Sequence, residues 1–423
     1  MLLKRILPMV LFVLLLNFFA TTVFAQKVSN ATPKRVPATD FIIFPCNWMP
    51  LERVDSGVWG DLADADAMMK DIFDCGFNAT GFTSAKYIKY AIPYNLAVIL
   101  YDSRISSSPP DVAPEKAHET VQTILNEIPT PEERKAVYSF SVKDEPHSSL
   151  FPILNMWSDA LKKQGILPYI NLFPEYAKPA LFLGTKDYEE YIDSFVKICQ
   201  PSYLSYDNYS LYNDGELKED RFYSNLEIIR KKSLQYDIPF WNVILSNAHF
   251  HYAEPSEATL NIQVYSTLAY GGKGIGYFTY YTPERGNYRL APIDQFGYRT
   301  KTWNIMRHIN LQIHALAPVY CRLKSVNVFH VQSTPKNSRK KDSSVHLESV
   351  GDAPLLVGEF VDPKGNPYVL LVNKNLKASI APEIVFKKAG TIMKIRPYNN
   401  GKIPYNGEQQ WLAPGAGVLL TVE

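Results

Sequence analysis

Asp144-Glu145-Pro146 sets two carboxylates side by side directly after Val137–Val142, an apolar run of the kind a buried strand requires. Glu145 at a strand tip, partly desolvated and next to Asp144, is expected to keep its proton to higher pH than a free glutamate. Burial and a neighbouring negative charge both disfavour the ionised form. A carboxyl that stays protonated near neutral pH can deliver that proton to a leaving-group oxygen. Pro146 fixes the backbone just beyond it and removes a donor. Asp144 is expected to face the other way and brace a neighbouring strand, because successive strand residues point to opposite faces. The competing use of either carboxylate is to cap a helix starting near Ser148.

That strand is one of eight. The apolar runs are 41–48, 77–83, 96–101, 137–142, 167–173, 203–209, 240–245 and 275–280. Between them lie helical stripes: Leu62, Ala65, Met69, Ile72 and Phe73; Leu150, Leu154, Trp157 and Leu161; Tyr188, Tyr191, Ile192, Phe195 and Cys199; Leu260, Val264 and Leu268. Strands buried on both faces and alternating with helices predict a parallel sheet. Eight such units predict a (β/α)8 TIM barrel, whose functional residues sit at the C-terminal strand ends. A doubly wound open sheet needs a glycine-rich loop after the first strand, and Cys46-Asn47-Trp48-Met49-Pro50 is not one.

The predicted rim collects Asn47, Trp48, Asp102, Arg104, Asp144, Glu145, Glu175, Asp207, Tyr209, Trp241, Asn242, His249, His251, Glu254, Tyr280 and Glu284. Rings, carboxylates and amides on one rim suit a polyhydroxylated ligand. Trp48 and Trp241 are candidate stacking platforms, with core packing the competing reading. Asn47, Asp144, Tyr209, Asn242 and Tyr280 are the other candidate ligand contacts. His249 and His251 lack a recognisable third ligand, so no metal is expected.

After Leu316 the pattern changes to short alternating runs separated by turns, such as Asp362-Pro363-Lys364-Gly365-Asn366. This predicts a C-terminal antiparallel β-sandwich. The expected organisation is a signal peptide over 1–25, a barrel over 26–320 and a β-domain over 321–423.

Asp144-Glu145-Pro146 after the fourth strand resembles the Asn-Glu-Pro element of the large clan of (β/α)8 retaining glycoside hydrolases, clan A. QVYSTLAYGGKGIGYFTYYTPE and YLSYDNYSL resemble segments of secreted proteins related to glycoside hydrolase family 42. The resemblance spans residues 40 to 320. It implies hydrolysis of glycosidic bonds in an oligo- or polysaccharide, with Glu145 as general acid/base and no organic cofactor. It also implies a nucleophilic Glu at the end of the seventh strand, where this chain has Phe240-Trp241-Asn242-Val243-Ile244-Leu245-Ser246-Asn247 and no acid. A second carboxylate is needed across the scissile bond. Glu284, flanked by Arg285, and Asp207 are favoured over Glu254 and Glu175. The acid-free seventh strand leaves a second expectation open: a non-catalytic carbohydrate-binding barrel.

Lys4 and Arg5, the apolar stretch to Ala20 and Val23-Phe24-Ala25 fit a cleaved secretory signal, so a secreted or periplasmic location is expected, with no membrane insertion after cleavage. The formal charge of the 423-residue chain is +2, and loss of Lys4 and Arg5 leaves it neutral, which argues against nucleic acid as a partner. Four cysteines without metal or framework spacing are expected as buried thiols. Asn78 and Asn208 fall in glycosylation triplets but at predicted strands, so no modification is read from them.

Overall fold

The computed structural model describes residues 34–47, 49, 64–107 and 112–423. The expected signal peptide and Trp48 lie outside the described residues.

Eight parallel strands form the barrel: β1 (Ile42–Pro45), β2 (Ala79–Thr83), β3 (Ala97–Leu100), β4 (Val137–Asp144), β5 (Leu167–Leu172), β6 (Leu204–Asp207), β7 (Phe240–Leu245) and β8 (Gly274–Phe278). From β2 to β8 each strand pairs with its sequence neighbour, and β1 pairs with β8. The helices of the chain are α1 (Ala65–Asp74), α2 (Ser103–Ser106), α3 (Pro114–Asn126), α4 (Pro131–Ala136), α5 (Phe151–Lys162), α6 (Tyr188–Cys199), α7 (Glu219–Tyr236), α8 (Glu257–Ala269) and α9 (Lys301–Tyr320). Caps start them where the sequence supplies oxygen acceptors: Asp64 before α1, Asp187 before α6, and a Ser256/Thr259 capping box before α8.

Asn78 closes the seam between β1 and β2. Its Oδ1 accepts from the Ile43 N–H at 2.8 Å, and its Nδ2 donates to the carbonyls of Val36 and Phe41 at 2.8 and 2.7 Å. The amide is therefore fully engaged inside the fold. Asn208 is buried too, donating to Asn225 Oδ1 at 3.0 Å.

The barrel interior is filled largely by rings. Trp241 stacks on Tyr203 with centroids 3.5 Å apart and meets Phe44 at 6.0 Å, and Phe44 meets Tyr169 at 5.5 Å. β8 makes room for this with Gly274, where a Cβ would stand 2.6 Å from the Trp241 ring. Such a packed floor closes the centre of the barrel, and the C-terminal mouth is where functional side chains of this fold converge.

The C-terminal part forms a six-stranded antiparallel sheet of β9 (Lys324–His330), β11 (Leu355–Val361), β12 (Pro367–Asn373), β14 (Ile392–Ile395), β15 (Lys402–Pro404) and β16 (Gly417–Val422). A ribbon of β10 (Leu347–Val350) and β13 (Ile384–Phe386) accompanies it. Leu347, Ile384 and Phe386 of the ribbon share a core with Phe329, Val357, Leu371 and Leu420 on one face of the sheet. The other face, with Leu356, Leu370 and Leu419, belongs to the core of the barrel helices. Contact with α8 is so close that a Cβ at Gly358 would collide with the backbone carbonyl of Ala269. Gly358→Ala is therefore expected to destabilise the protein by about 1–3 kcal/mol through overpacking, read as an earlier urea midpoint. An unchanged midpoint would mean that the sheet rides loosely on α8.

Candidate active site

The site begins with an irregularity in β4. Ser141 pairs with Tyr169, but a register shift follows, and Asp144 comes opposite Asn171. The extra residue reverses the parity of the strand end, as a bulge does. Asp144 therefore turns inward, which corrects the expected facing, and it meets the neighbouring strand β5 there through Asn171. Glu145 then adopts a left-handed backbone, φ 44, and its N–H donates to the Asn171 carbonyl at 2.8 Å. Pro146 follows, its carbonyl accepting the Tyr191 hydroxyl at 2.7 Å. Both carboxyls are thus presented at the mouth, and neither caps the next helical turn, whose cap acceptor is His147 Nδ1.

Asn171, the last inward residue of β5, organises three acids. Its Nδ2 donates to Asp144 Oδ1 at 3.2 Å and to Asp207 Oδ1 at 2.9 Å. Its Oδ1 accepts from Ser205 Oγ at 3.0 Å, which holds the amide in that orientation. Its carbonyl takes the Glu145 N–H already described. Below lie Tyr169 and Cys46, their oxygen and sulfur 3.3 Å apart.

The three carboxyls differ in environment. Asp207 is 5 % exposed, and burial with the charges of Glu145 and Asp144 holds it well above the aspartate range. Glu145 is half-buried, and burial with the charge of Asp144 pushes it up to about 7. Asp144 is solvent-exposed yet surrounded by protein, which raises it, while the Asn171 amide and Lys143 act the other way. Three acids packed so closely titrate as a set. The accessible, amide-bonded Asp144 is the member best able to carry charge, while Glu145 and Asp207 retain protons. Burial pushes the Cys46 thiol up, so it is no thiolate nucleophile.

Aromatic rings wall the side formed by β6, β7 and β8. Tyr209 stacks on Phe278 at 5.6 Å and meets His249 and Tyr252 edge-on at 6.3 and 6.0 Å. The Tyr176 hydroxyl accepts from the Tyr209 N–H at 3.2 Å, and the Arg221 guanidinium lies 3.5 Å over the Tyr176 ring. His249 stacks on Tyr288 at 4.5 Å, and burial pushes it down to about 4, so it is neutral. His251 stacks on Tyr212. No group of His, Cys, Asp and Glu among the described residues has the arrangement to hold a metal ion.

The structure brings Asp144, Glu145, Asp207 and Tyr209 together, with Asn47 on the rim, its Nδ2 3.3 Å from Thr279 Oγ1. Glu284 is solvent-exposed on the loop after β8, and Glu254 pairs with Arg289 at 3.1 Å. Three expected contacts lie elsewhere. Trp241 is at the start of β7 and so packs in the barrel floor, where it also lines a cavity of about 540 Å³ on the opposite face. Asn242 points outward and donates to Thr267 Oγ1 at 2.8 Å. Tyr280 is fully buried beneath α1 and α9, its hydroxyl 2.5 Å from Asp71 Oδ2 and 2.8 Å from Trp303 Nε1. Asn171 was missed. Its signal is a polar residue two positions beyond Tyr169 in a strand buried on both faces.

No protein-family model and no curated protein sequence matches the chain. Among solved structures it is similar to a family 39 glycoside hydrolase from the gut symbiont Bacteroides cellulosilyticus, with a TM-score of 0.53 and 9% identity over 93% of this chain and 83% of that one. A family 5 enzyme from Bifidobacterium longum subsp. longum gives a TM-score of 0.48 at 10% identity over 64% and 78% of the two chains. The likeness to the family 39 enzyme is one of fold. No helix among the described residues is long and apolar enough to cross a membrane.

Proposed function

We propose that the chain is a secreted or periplasmic glycoside hydrolase acting on an oligo- or polysaccharide. The observation that carries this reading is Glu145: a carboxyl at the C-terminal mouth of a TIM barrel, brought to about 7 by burial and by Asp144. In the proposed reaction Glu145 protonates the departing glycosidic oxygen. Asp144, ionised, faces the positive charge that develops on the sugar ring; water then bonds to the anomeric carbon as the glycosidic bond breaks and returns a proton to the Glu145 carboxylate. Asp207, protonated, is a donor to a substrate hydroxyl or to its neighbours. The shared fold with the family 39 hydrolase supports the assignment. The end of β7, Ser246-Asn247 without an acid, favours the alternative of a barrel that binds sugar without cleaving it.

The pH dependence of kcat/KM on a panel of aryl glycosides and oligosaccharides tests the proposal. Glu145 must be protonated, so the rate is expected to fall about tenfold per pH unit above about 7. Asp144 must be ionised, so the rate also falls toward acid, with that limb above the usual aspartate range. Binding without turnover across the panel would support the sugar-binding alternative instead.

A further inference from the structure

The loop after β7 carries an aromatic side chain in a position that folding alone does not favour. Phe250 is 65 % exposed, and its backbone is left-handed at φ 46. Both features are unfavourable for a bulky apolar residue, and a glycine would remove both. The position is nevertheless built. Asn287, from the loop after β8, brackets it, its Oδ1 accepting the Phe250 N–H at 2.6 Å and its Nδ2 donating to the Phe250 carbonyl at 2.9 Å. Ala248 and Arg289 exchange backbone hydrogen bonds at 3.0 and 2.9 Å on one side, and Asn213 N–H donates to the His251 carbonyl at 2.9 Å on the other. Three rim loops thus hold one ring outward.

The ring meets its neighbours obliquely, His249 at 5.1 Å and 60°, Tyr288 at 6.2 Å and 65°. The residue nevertheless stays 65 % exposed. From it a path of rings leads inward through His249 to Tyr209, in steps of 5.1 and 6.3 Å, ending beside the acids. An exposed ring at the outer end of such a path suits the C–H face of a pyranose.

We infer that Phe250 is a distal sugar-stacking subsite, and that the substrate is a chain long enough to run from the carboxyl cluster over the β7–β8 rim: an oligo- or polysaccharide rather than a small glycoside. The inference rests on the hydrolase reading for its reaction but not for its binding. Phe250→Gly separates function from architecture. The probes are soluble xyloglucan, arabinoxylan, mixed-linkage glucan, pectic galactan and arabinogalactan in affinity gel electrophoresis, with Glu145→Gln as the background. Phe250→Gly is expected to weaken retardation by at least one of these about three- to tenfold, with Tm unchanged or higher. Asn287→Ala, which frees the loop, is expected to weaken it in the same gel. Retardation by none of the polysaccharides, equal retardation with and without Phe250, or a lowered Tm in Phe250→Gly would each overturn the subsite. Retardation that Phe250→Gly weakens, with no turnover of any of these polysaccharides by the parent protein, would instead sink the hydrolase reading and leave the subsite standing.

Discussion

Glu145→Gln is expected to cut turnover by about 10²–10⁴-fold, the range that a positioned general acid contributes, while oligosaccharide binding survives. The same substitution is expected to stabilise the fold in alkali. The folded value of Glu145, about 7, lies above its ordinary 4.5, so the folded state binds this proton more tightly than the unfolded chain does. The stabilisation is fully present below about 4.5 and is lost as pH rises through about 7. The full shift corresponds to about 3 kcal/mol. Glutamine carries no charge, so the variant should gain about 1–3 kcal/mol over the parent near pH 8 and show no gain near pH 4. Urea titrations at the two pH values read this, and assays on the substrate panel read turnover. A carboxylate kept for an ion pair would behave oppositely, losing stability when neutralised. More than a tenth of the activity remaining in Glu145→Gln would remove this residue from the proton-transfer step.

The barrel was legible because each strand is buried on both faces, and such runs stand out as unbroken apolar stretches between stripes of helical period. Two strands escaped notice in the C-terminal part. β10 and β15 are mostly exposed or half-exposed, as in Glu348-Ser349 and Lys402-Ile403-Pro404, so no apolar run marks them. In the site, sequence position gave the right strand end but not the face. Parity and depth decide that. Trp241 and Asn242 are the second and third residues of β7, too near the floor to reach the mouth, and Asn242 has outward parity as well. Tyr280 lies past β8 but turns onto Asp71. Asp144 was misplaced for a different reason: the register shift in β4 inserts one residue, and nothing in Ser141-Val142-Lys143 announces it. Asn171 left only the mark of a polar residue in a doubly buried strand, because an asparagine's value lies in what its two amide atoms reach, which alternation does not reveal.

That reach makes Asn171 the strongest candidate for a positioning residue. Asn171→Ala removes the N–H donor shared by Asp144 and Asp207 and leaves the Ser205 hydroxyl with the Tyr169 oxygen, 3.4 Å away, as its acceptor. The Glu145 N–H keeps its bond, because that acceptor is the backbone carbonyl of residue 171. Loss of a hydrogen bond to a charged group costs about 1.5–3 kcal/mol, so kcat/KM is expected to fall about 10–100-fold at the optimum. The pH profile carries the decisive information. The amide favours ionised Asp144, acting against the burial that raises it. Without the amide the acidic limb moves to higher pH, while the alkaline limb, set by Glu145 at about 7, stays in place. The active window therefore narrows from the acid side only. A residue that served packing alone would lower the whole curve without moving either limb, and that outcome would return the grouping of the three carboxyls to architecture rather than catalysis.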